Sequence, residues 1–370
     1  MGLLDYYRQF EALSEEEVNR ELREQAAERK SRELARVETL DLSQTVWPEL
    51  PHPNVANAIT FVARRGLQRY PAARAQELRN ELAHRHDVSP VRIAIGNGAS
   101  QLLSSATTAL MTPEQELVTP WPSYPLFPIM ASRAHGSAVP ARAPSVSGWV
   151  EAVLAAVTER TRIVALASPN DPTGERLPIE QLRELLASLP GEVAVLLDEA
   201  LIELAAVSDP DASLRLLDEH PRLLVFRSFS KAFGLAGLRV GYALGGPGSQ
   251  ELLAEIEPSF GIGDVPQAGA LEALRSSAQD LPRRASSIAL ERDRMLEGLR
   301  ARGFQASESV VNFVWVTHAK ISADELTDRL RRVGVLVASG AALGEPGFVR
   351  IAVQRALATD RLLEALDTVS

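Results

Sequence analysis

The chain of 370 residues contains no cysteine. That excludes a disulfide framework and any metal centre built on thiolate, and no metal is expected. Basic residues are in the minority, 39 Lys and Arg against 48 Asp and Glu, for a net charge of −9. A nucleic-acid partner needs a basic face to meet phosphates, so none is expected. No apolar run reaches the roughly 18 residues that a membrane span requires. The opening MGLLDYYRQFEAL has no basic segment leading into an apolar stretch and a small-residue cleavage site. The expected location is the cytoplasm. Internal repeats, low-complexity tracts and long flexible linkers are missing too.

What is present is ordinary for a globular protein with a real core: 45% hydrophobic and 24% charged residues. The length suits one large domain and one smaller one. We expect an N-terminal helix and arm over 1–50, a large domain over 51–265 and a small C-terminal domain over 266–370. Ser14 and Glu17 form a capping box for a polar helix to Val37. With few apolar anchors, that helix needs another surface, the small domain or a second subunit. Apolar runs then recur at Arg92–Ile95, Leu117–Thr119, Ile163–Ala167, Val193–Leu197, Leu223–Phe226 and Val240–Leu244, separated by helical periods. Several lack polar alternation, which predicts an α/β fold with a mostly parallel sheet covered on both faces. After Gly263 the pattern predicts a long helix over about Leu281–Arg302. Strands at Asn312–Val316, Val333–Val337 and Phe348–Val353 then make a smaller α/β domain.

The stretch Arg222–Leu244, RLLVFRSFSKAFGLAGLRVGYAL, organises the rest. A lone lysine in a loop is ordinarily solvated. Lys231, however, stands among Ser228 and Ser230 at the exit of a buried strand, where dehydration favours the neutral, nucleophilic amine. Arg239 follows eight residues on, able to hold an anion beside it. Ligands of open α/β sheets gather at the carboxyl ends of strands, and other strand exits are unusual as well. Gly96-Asn97-Gly98-Ala99-Ser100 before a helix is either a tight turn or a phosphate cradle. Ser168-Pro169-Asn170-Asp171-Pro172-Thr173-Gly174 reads by itself as a rigid turn that projects the Asn170 amide. Asp198 ends an apolar run, where a buried carboxylate needs a cation: an arginine, a helix N-terminus or a protonated heterocycle. Trp121-Pro122-Ser123-Tyr124 offers either core aromatics or a stacking face. Taken together these call for an aldehyde at Lys231, a ring nitrogen at Asp198, a flat ring at Tyr124 and a phosphate at the glycine turn and Arg239. Pyridoxal 5′-phosphate has all four.

The motifs RYP, GNGAS, SPNDPTG, LLDEA, SFSKAFGLAGLRVGY and FVRIAV occur in the order of a known family. From about Leu40 to the C-terminus the chain resembles fold-type-I pyridoxal-phosphate enzymes of aminotransferase class I/II, nearest the histidinol-phosphate branch. The resemblance implies an aspartate aminotransferase-like fold in which Lys231 forms the Schiff base and shuttles the proton. It implies that Asp198 keeps the ring nitrogen protonated, Asn170 donates to the ring hydroxyl and Tyr124 stacks on the ring. Ala99, Ser100, Ser228, Ser230 and Arg239 would surround the phosphate. Tyr70 would reach the cofactor of a neighbouring subunit, so a homodimer with shared active sites is implied, and Arg350 would grip the substrate carboxylate.

Three positions depart from the family pattern. Leu201 replaces the usual tyrosine beyond the aspartate, Ala338 stands where the histidinol-phosphate enzymes have a phosphate-binding arginine, and the usual SNENP start reads Ser43-Gln44-Thr45-Val46-Trp47-Pro48. The expected activity is therefore transamination between an amino acid without a phosphate and a 2-oxo acid. Apolar surroundings at Leu201, Leu336 and Trp47 fit a neutral or apolar side chain. The alternatives are histidinol-phosphate aminotransfer proper, decarboxylation, or a silent binding protein; retention of both Lys231 and Asp198 speaks against the last.

Overall fold

The computed structural model describes residues 38–205 and 207–369. The polar helix expected over Ser14–Val37 lies outside the described residues. Strands are β1 (Leu40–Asp41), β2 (Ile93–Gly96), β3 (Glu116–Trp121), β4 (Ser137–Arg142), β5 (Thr161–Ala167), β6 (Ala194–Asp198) and β7 (Leu223–Ser228). They continue with β8 (Gly241–Gly245), β9 (Phe304–Ala306), β10 (Phe313–His318), β11 (Val335–Leu336), β12 (Ala338–Ser339) and β13 (Val349–Ala352).

Strands β2 to β8 form one sheet in the order β2-β8-β7-β6-β5-β3-β4. Its pairs are parallel except the two that β8 makes. The continuous apolar runs follow from burial on both faces. Along β6, Val195 and Leu197 enter one core while Leu196 enters the other, and β7 repeats this with Leu223 and Val225 against Leu224 and Phe226. Helices Ala99–Leu110 and Leu126–Arg133 cover one face; Trp149–Ala156 and Ile179–Ser188 cover the other. Each fully buried leucine or valine contributes about 1.5–3 kcal/mol, so neither face can be uncovered without losing much of the fold.

The sheet's direction positions the site. The parallel strands β3, β5, β6 and β7 all deliver their carboxyl ends to one edge, with Ala167 beside Asp198 and Asp198 beside Phe226. Strand β8 runs the other way between β2 and β7, so its beginning, just after Arg239, meets that same edge: Gly241 pairs with both Ser228 and Gly96.

The smaller sheet, β12-β13-β10-β9, is antiparallel throughout. The long helix expected from about Leu281 begins at Asp264 and runs to Ala301, with Pro282 inside it. A proline after an apolar residue reads as a helix start, yet here both halves are held by packing that outweighs its penalty of about 3 kcal/mol. Ala270, Leu271, Ala273, Leu274 and Leu281 join the large core, and Ile288, Met295, Leu296 and Leu299 join the small one. The change of core thus falls inside this helix, whereas the expected break at 265/266 falls near its first residue. The arm also belongs with the small core. Strand β1 pairs with β11 in parallel, the Leu42 amide donates to Leu336 O (2.8 Å), and Leu42 is fully buried.

Candidate active site

A cavity of about 250 Å³ opens at the carboxyl edge of the large sheet. Of the residues expected there, Ala99, Ser100, Tyr124, Asp198, Ser228, Ser230, Lys231 and Arg239 line it. They come from separate strand exits, brought together by the parallel sheet and by the reversed direction of β8.

One end is built for an anion. The helix Ala99–Leu110 starts at Gly98 without a side-chain cap, leaving first-turn amides to a ligand. Arg239, in left-handed backbone (φ 54°), lays its guanidinium over this turn. Its Nη1 donates to Ser230 Oγ (3.2 Å) and its Nη2 to Ser100 Oγ (3.4 Å). Two glycines make this approach possible. A Cβ at Gly98, where φ is +82°, would lie 2.5 Å from Arg239 Nη2, and one at Gly241 would lie 2.2 Å from the Ala99 amide nitrogen.

Lys231 and Asp198 supply the opposite chemistry. Lys231 Nζ donates to Thr45 Oγ1 at 2.6 Å, so the arm reaches the lysine. Burial lowers the lysine's pKa, the nearby Asp171 carboxylate opposes that, and Arg350 reinforces it. Asp198 accepts from the Ala200 amide at 2.9 Å and has no ion-pair partner among the described residues. Burial pushes its carboxyl up to about 6, while the Ala200 N–H and Lys231 pull downward. A cationic ligand atom would restore the ionised form. The Tyr124 hydroxyl is pushed up to about 12, first by burial and then by Asp198, so it stays neutral. Phe127 holds the Tyr124 ring edge to face, centroids 5.6 Å apart.

Three expected residues, Asn170, Tyr70 and Arg350, do not line this cavity. Asn170 is fully buried behind it. Its Oδ1 accepts from Ser123 Oγ (2.8 Å), and its Nδ2 donates to Pro122 O (3.1 Å) and Thr173 Oγ1 (3.0 Å), so no donor is left for a ring hydroxyl. The turn sends the next residue, Asp171, into the cavity instead. Tyr70 is 87% exposed and stacks on Phe260, itself 76% exposed, away from the cavity of its own chain. Arg350 stands at the boundary between the sheets: Nη1 donates to Asp171 Oδ1 and Nη2 to Ser43 O (3.0 Å).

The departures in sequence also find their places. Leu201 lines the cavity. Trp47 does not; it packs beside Gly234 under the Arg284 guanidinium (4.8 Å), and Leu336 pairs with Asp41, so Val46 provides the apolar wall from the arm. Ala338 lies opposite Arg350 in the β12–β13 ladder and shares its face. Sequence reasoning missed Asp171, Thr45 and Val46. The one signal for Asp171 was a carboxylate between two prolines.

This donor set suits pyridoxal phosphate: a glycine-lined anion cradle, a dehydrated amine and a buried carboxylate lacking a cation. The comparisons agree. The model for aminotransferase class I and II matches residues 37–369. The chain is 35% identical over 332 residues to an aromatic amino acid aminotransferase of Corynebacterium efficiens, covering 89% of this chain and 92% of the relative. It is 36% identical over 311 residues to histidinol-phosphate aminotransferase 2 of Pseudomonas aeruginosa, covering 82% of each. Among solved structures, histidinol-phosphate aminotransferase from Sinorhizobium meliloti in complex with pyridoxal-5′-phosphate superposes with a TM-score of 0.82 at 29% identity, covering 92% of this chain and 93% of that one. The chain therefore belongs to the aminotransferase class I and II family, as a pyridoxal-phosphate-dependent transaminase.

Proposed function

We propose that this transaminase moves the amino group between an amino acid without a phosphate, aromatic by preference, and a 2-oxo acid. The observation that carries the reading is the shortage of cations. Among the described residues lining the cavity the only basic side chains are Lys231 and Arg239. Arg239 and the glycine turn are needed for the cofactor's phosphate, Lys231 for its aldehyde, and Arg350 for the substrate carboxylate. Among the described residues lining the cavity nothing basic remains for a second phosphate, and Arg355 is engaged with Glu49 at 3.3 Å, outside the cavity. Apart from Asp171, the lining that remains is apolar, with Val46, Leu201 and Ala236 among it. The similarity to the aromatic amino acid aminotransferase of Corynebacterium efficiens supports the same choice.

In this reading the chain's own residues divide the work. Ser100, Ser228, Ser230, Arg239 and the Ala99 end of its helix hold the phosphate, while Tyr124 lies against the ring. When bound, the cofactor supplies a conjugated ring that takes up the electron pair released as the substrate's Cα–H bond breaks. Asp198, a buried carboxylate with no ion-pair partner among the described residues, would hold a proton on the ring nitrogen. Lys231 Nζ, lowered in pKa by burial, accepts the proton from Cα. Neither Asn170 nor Leu201 gives the ring hydroxyl a donor.

The test is to compare specificity constants for aromatic amino acids and for histidinol phosphate, in the wild type and in Ala338→Arg. A phosphate left without its guanidinium partner loses on the order of 2–5 kcal/mol, so histidinol phosphate is expected to be poorer by roughly thirtyfold to several-thousandfold. The new arginine, sharing a face with Arg350, is expected to recover part of that. Efficient use of histidinol phosphate by the wild type would overturn the substrate reading and leave the cofactor reading intact.

Exposed Phe61, Leu67, Tyr70 and Phe260 form the apolar surface through which two copies associate, bringing Tyr70 to the partner's cofactor in the cytoplasm. A fully active monomer in sedimentation at assay concentration would remove the dimer.

A further inference from the structure

The guanidinium that is to receive the substrate carboxylate is already paired with a carboxylate of the chain itself. Asp171 Oδ1 takes Arg350 Nη1 and the Ser43 carbonyl takes Nη2, so both outer nitrogens of the fork have partners. The third nitrogen, Nε, has no partner and is sealed from solvent. The Phe313 ring lies 5.5 Å from the centre of the guanidinium. Arg350 and Asp171 are themselves largely buried, with side-chain exposures of 11% and 15%. A carboxylate arriving at the fork finds only the second N–H of Nη1 and of Nη2, and at Nη1 it meets the negative charge of Asp171, so a full charge-assisted pairing requires Asp171 to move away. Asp171 is also the one acidic group at this fork that lines the same cavity as Lys231.

We propose that Asp171 is an internal stand-in for the substrate carboxylate, closing Arg350 in the resting enzyme and giving way when an amino acid or 2-oxo acid enters. This rests on the reading that Arg350 is the carboxylate site. The exchange swaps one carboxylate for another at Nη1, so the net charge of the fork stays balanced while Asp171 turns back toward Lys231. The Ser43 carbonyl keeps Arg350 in place during the exchange. The arm therefore anchors the arginine, and the turn between Pro169 and Pro172 gates it. The consequence is weaker ground-state binding of every carboxylate ligand, whatever its side chain. If the closed pair is populated nine times in ten, apparent affinity falls about tenfold.

The test uses the holoenzyme and an unreactive monocarboxylate, 3-phenylpropionate, with binding followed calorimetrically in wild type, Asp171→Asn, Arg350→Gln and the double variant. Asp171→Asn keeps the shape of the side chain and removes the competing charge, and thermal melts establish that each variant is folded. The expected result is binding about tenfold tighter in Asp171→Asn, with binding lost in Arg350→Gln and in the double variant. Equal or weaker binding in Asp171→Asn, with Arg350→Gln still abolishing it, would overturn the stand-in: Asp171 would then be a fixed prop for the arginine. Unchanged binding in Arg350→Gln would overturn the carboxylate assignment itself and the proposal with it.

Discussion

Asp198 and Glu199 are consecutive and both buried, yet they stand in opposite conditions. Glu199 Oε2 accepts from Arg227 Nη2 (2.8 Å) and Nε (3.1 Å); Arg227 Nη1 also binds Asp211 Oδ1 (2.6 Å). Asp211 Oδ2 in turn meets His86 Nδ1 (3.1 Å), and His86 Nε2 meets the Tyr242 hydroxyl (3.0 Å). Burial works against ionised Asp211, but His86 and Arg227 hold its carboxyl well below the usual range. Where that cluster leaves an oxygen unpaired, Glu203 Oε2, burial pushes the carboxyl up to about 7. Asp198 has one backbone donor, no ion partner among the described residues, and a cavity in front of it. The lesson is that burial of charge alone says little about function. A cluster that completes its own pairing is architecture, and one that waits for a partner is a site.

The comparison can be broken from either side. The largest effect is expected on the completed side. Arg227→Met leaves Glu199 and Asp211 without their cation and should lower unfolding free energy by about 3–5 kcal/mol in urea titration. A variant as stable as wild type would mean the cluster is not structural. On the waiting side the sign reverses. Because burial raises the folded pKa of Asp198 to about 6, above the unfolded carboxylate, the folded apoprotein keeps a proton that the unfolded chain has lost. The penalty grows as pH rises from about 4 through 6 and is complete above that, at most about 3 kcal/mol. Asp198→Asn should therefore stabilise the apoprotein by up to that amount at pH 8 and by nothing at pH 4. In the holoenzyme the same change should lower the transamination rate on the order of 10²–10³-fold. An apoprotein made less stable at pH 8 would place Asp198 with its neighbour, as architecture.

Much of the fold was legible because strands buried on both faces have a simple signature. The apolar runs ending at Ala167, Leu197 and Phe226 correspond to β5, β6 and β7 within a residue or two at each end. The edge strand β4 was not legible. Ser137–Arg142 buries only Ala141, carries Pro140 and pairs only with β3, so it has neither a buried apolar run nor a full ladder. The long helix was half legible, its first turns hidden behind Pro282. In the site, Lys231, Asp198, Arg239 and Ser100 were readable because each closes or follows an apolar run or a glycine turn. Thr45 and Asp171 were not, since neither residue type nor spacing says that an arm folds back or which way a turn faces.

The sequence by itself determined that strand exits bearing Lys231, Asp198 and a glycine-flanked helix start would share one edge. Continuous apolar runs separated by helical periods favour a mostly parallel sheet covered on both faces, and the parallel strands of such a sheet gather their carboxyl ends. Tertiary structure alone decided that β8 runs backwards, bringing Arg239 to that edge, and that Asp171 rather than Asn170 looks into the cavity. It also decided that the arm returns to place Thr45 on Lys231 and the Ser43 carbonyl on Arg350. Such choices turn on strand direction, on the rotation of a single peptide within a proline-flanked turn, and on contacts between residues 186 and 307 positions apart, where local sequence exerts no preference.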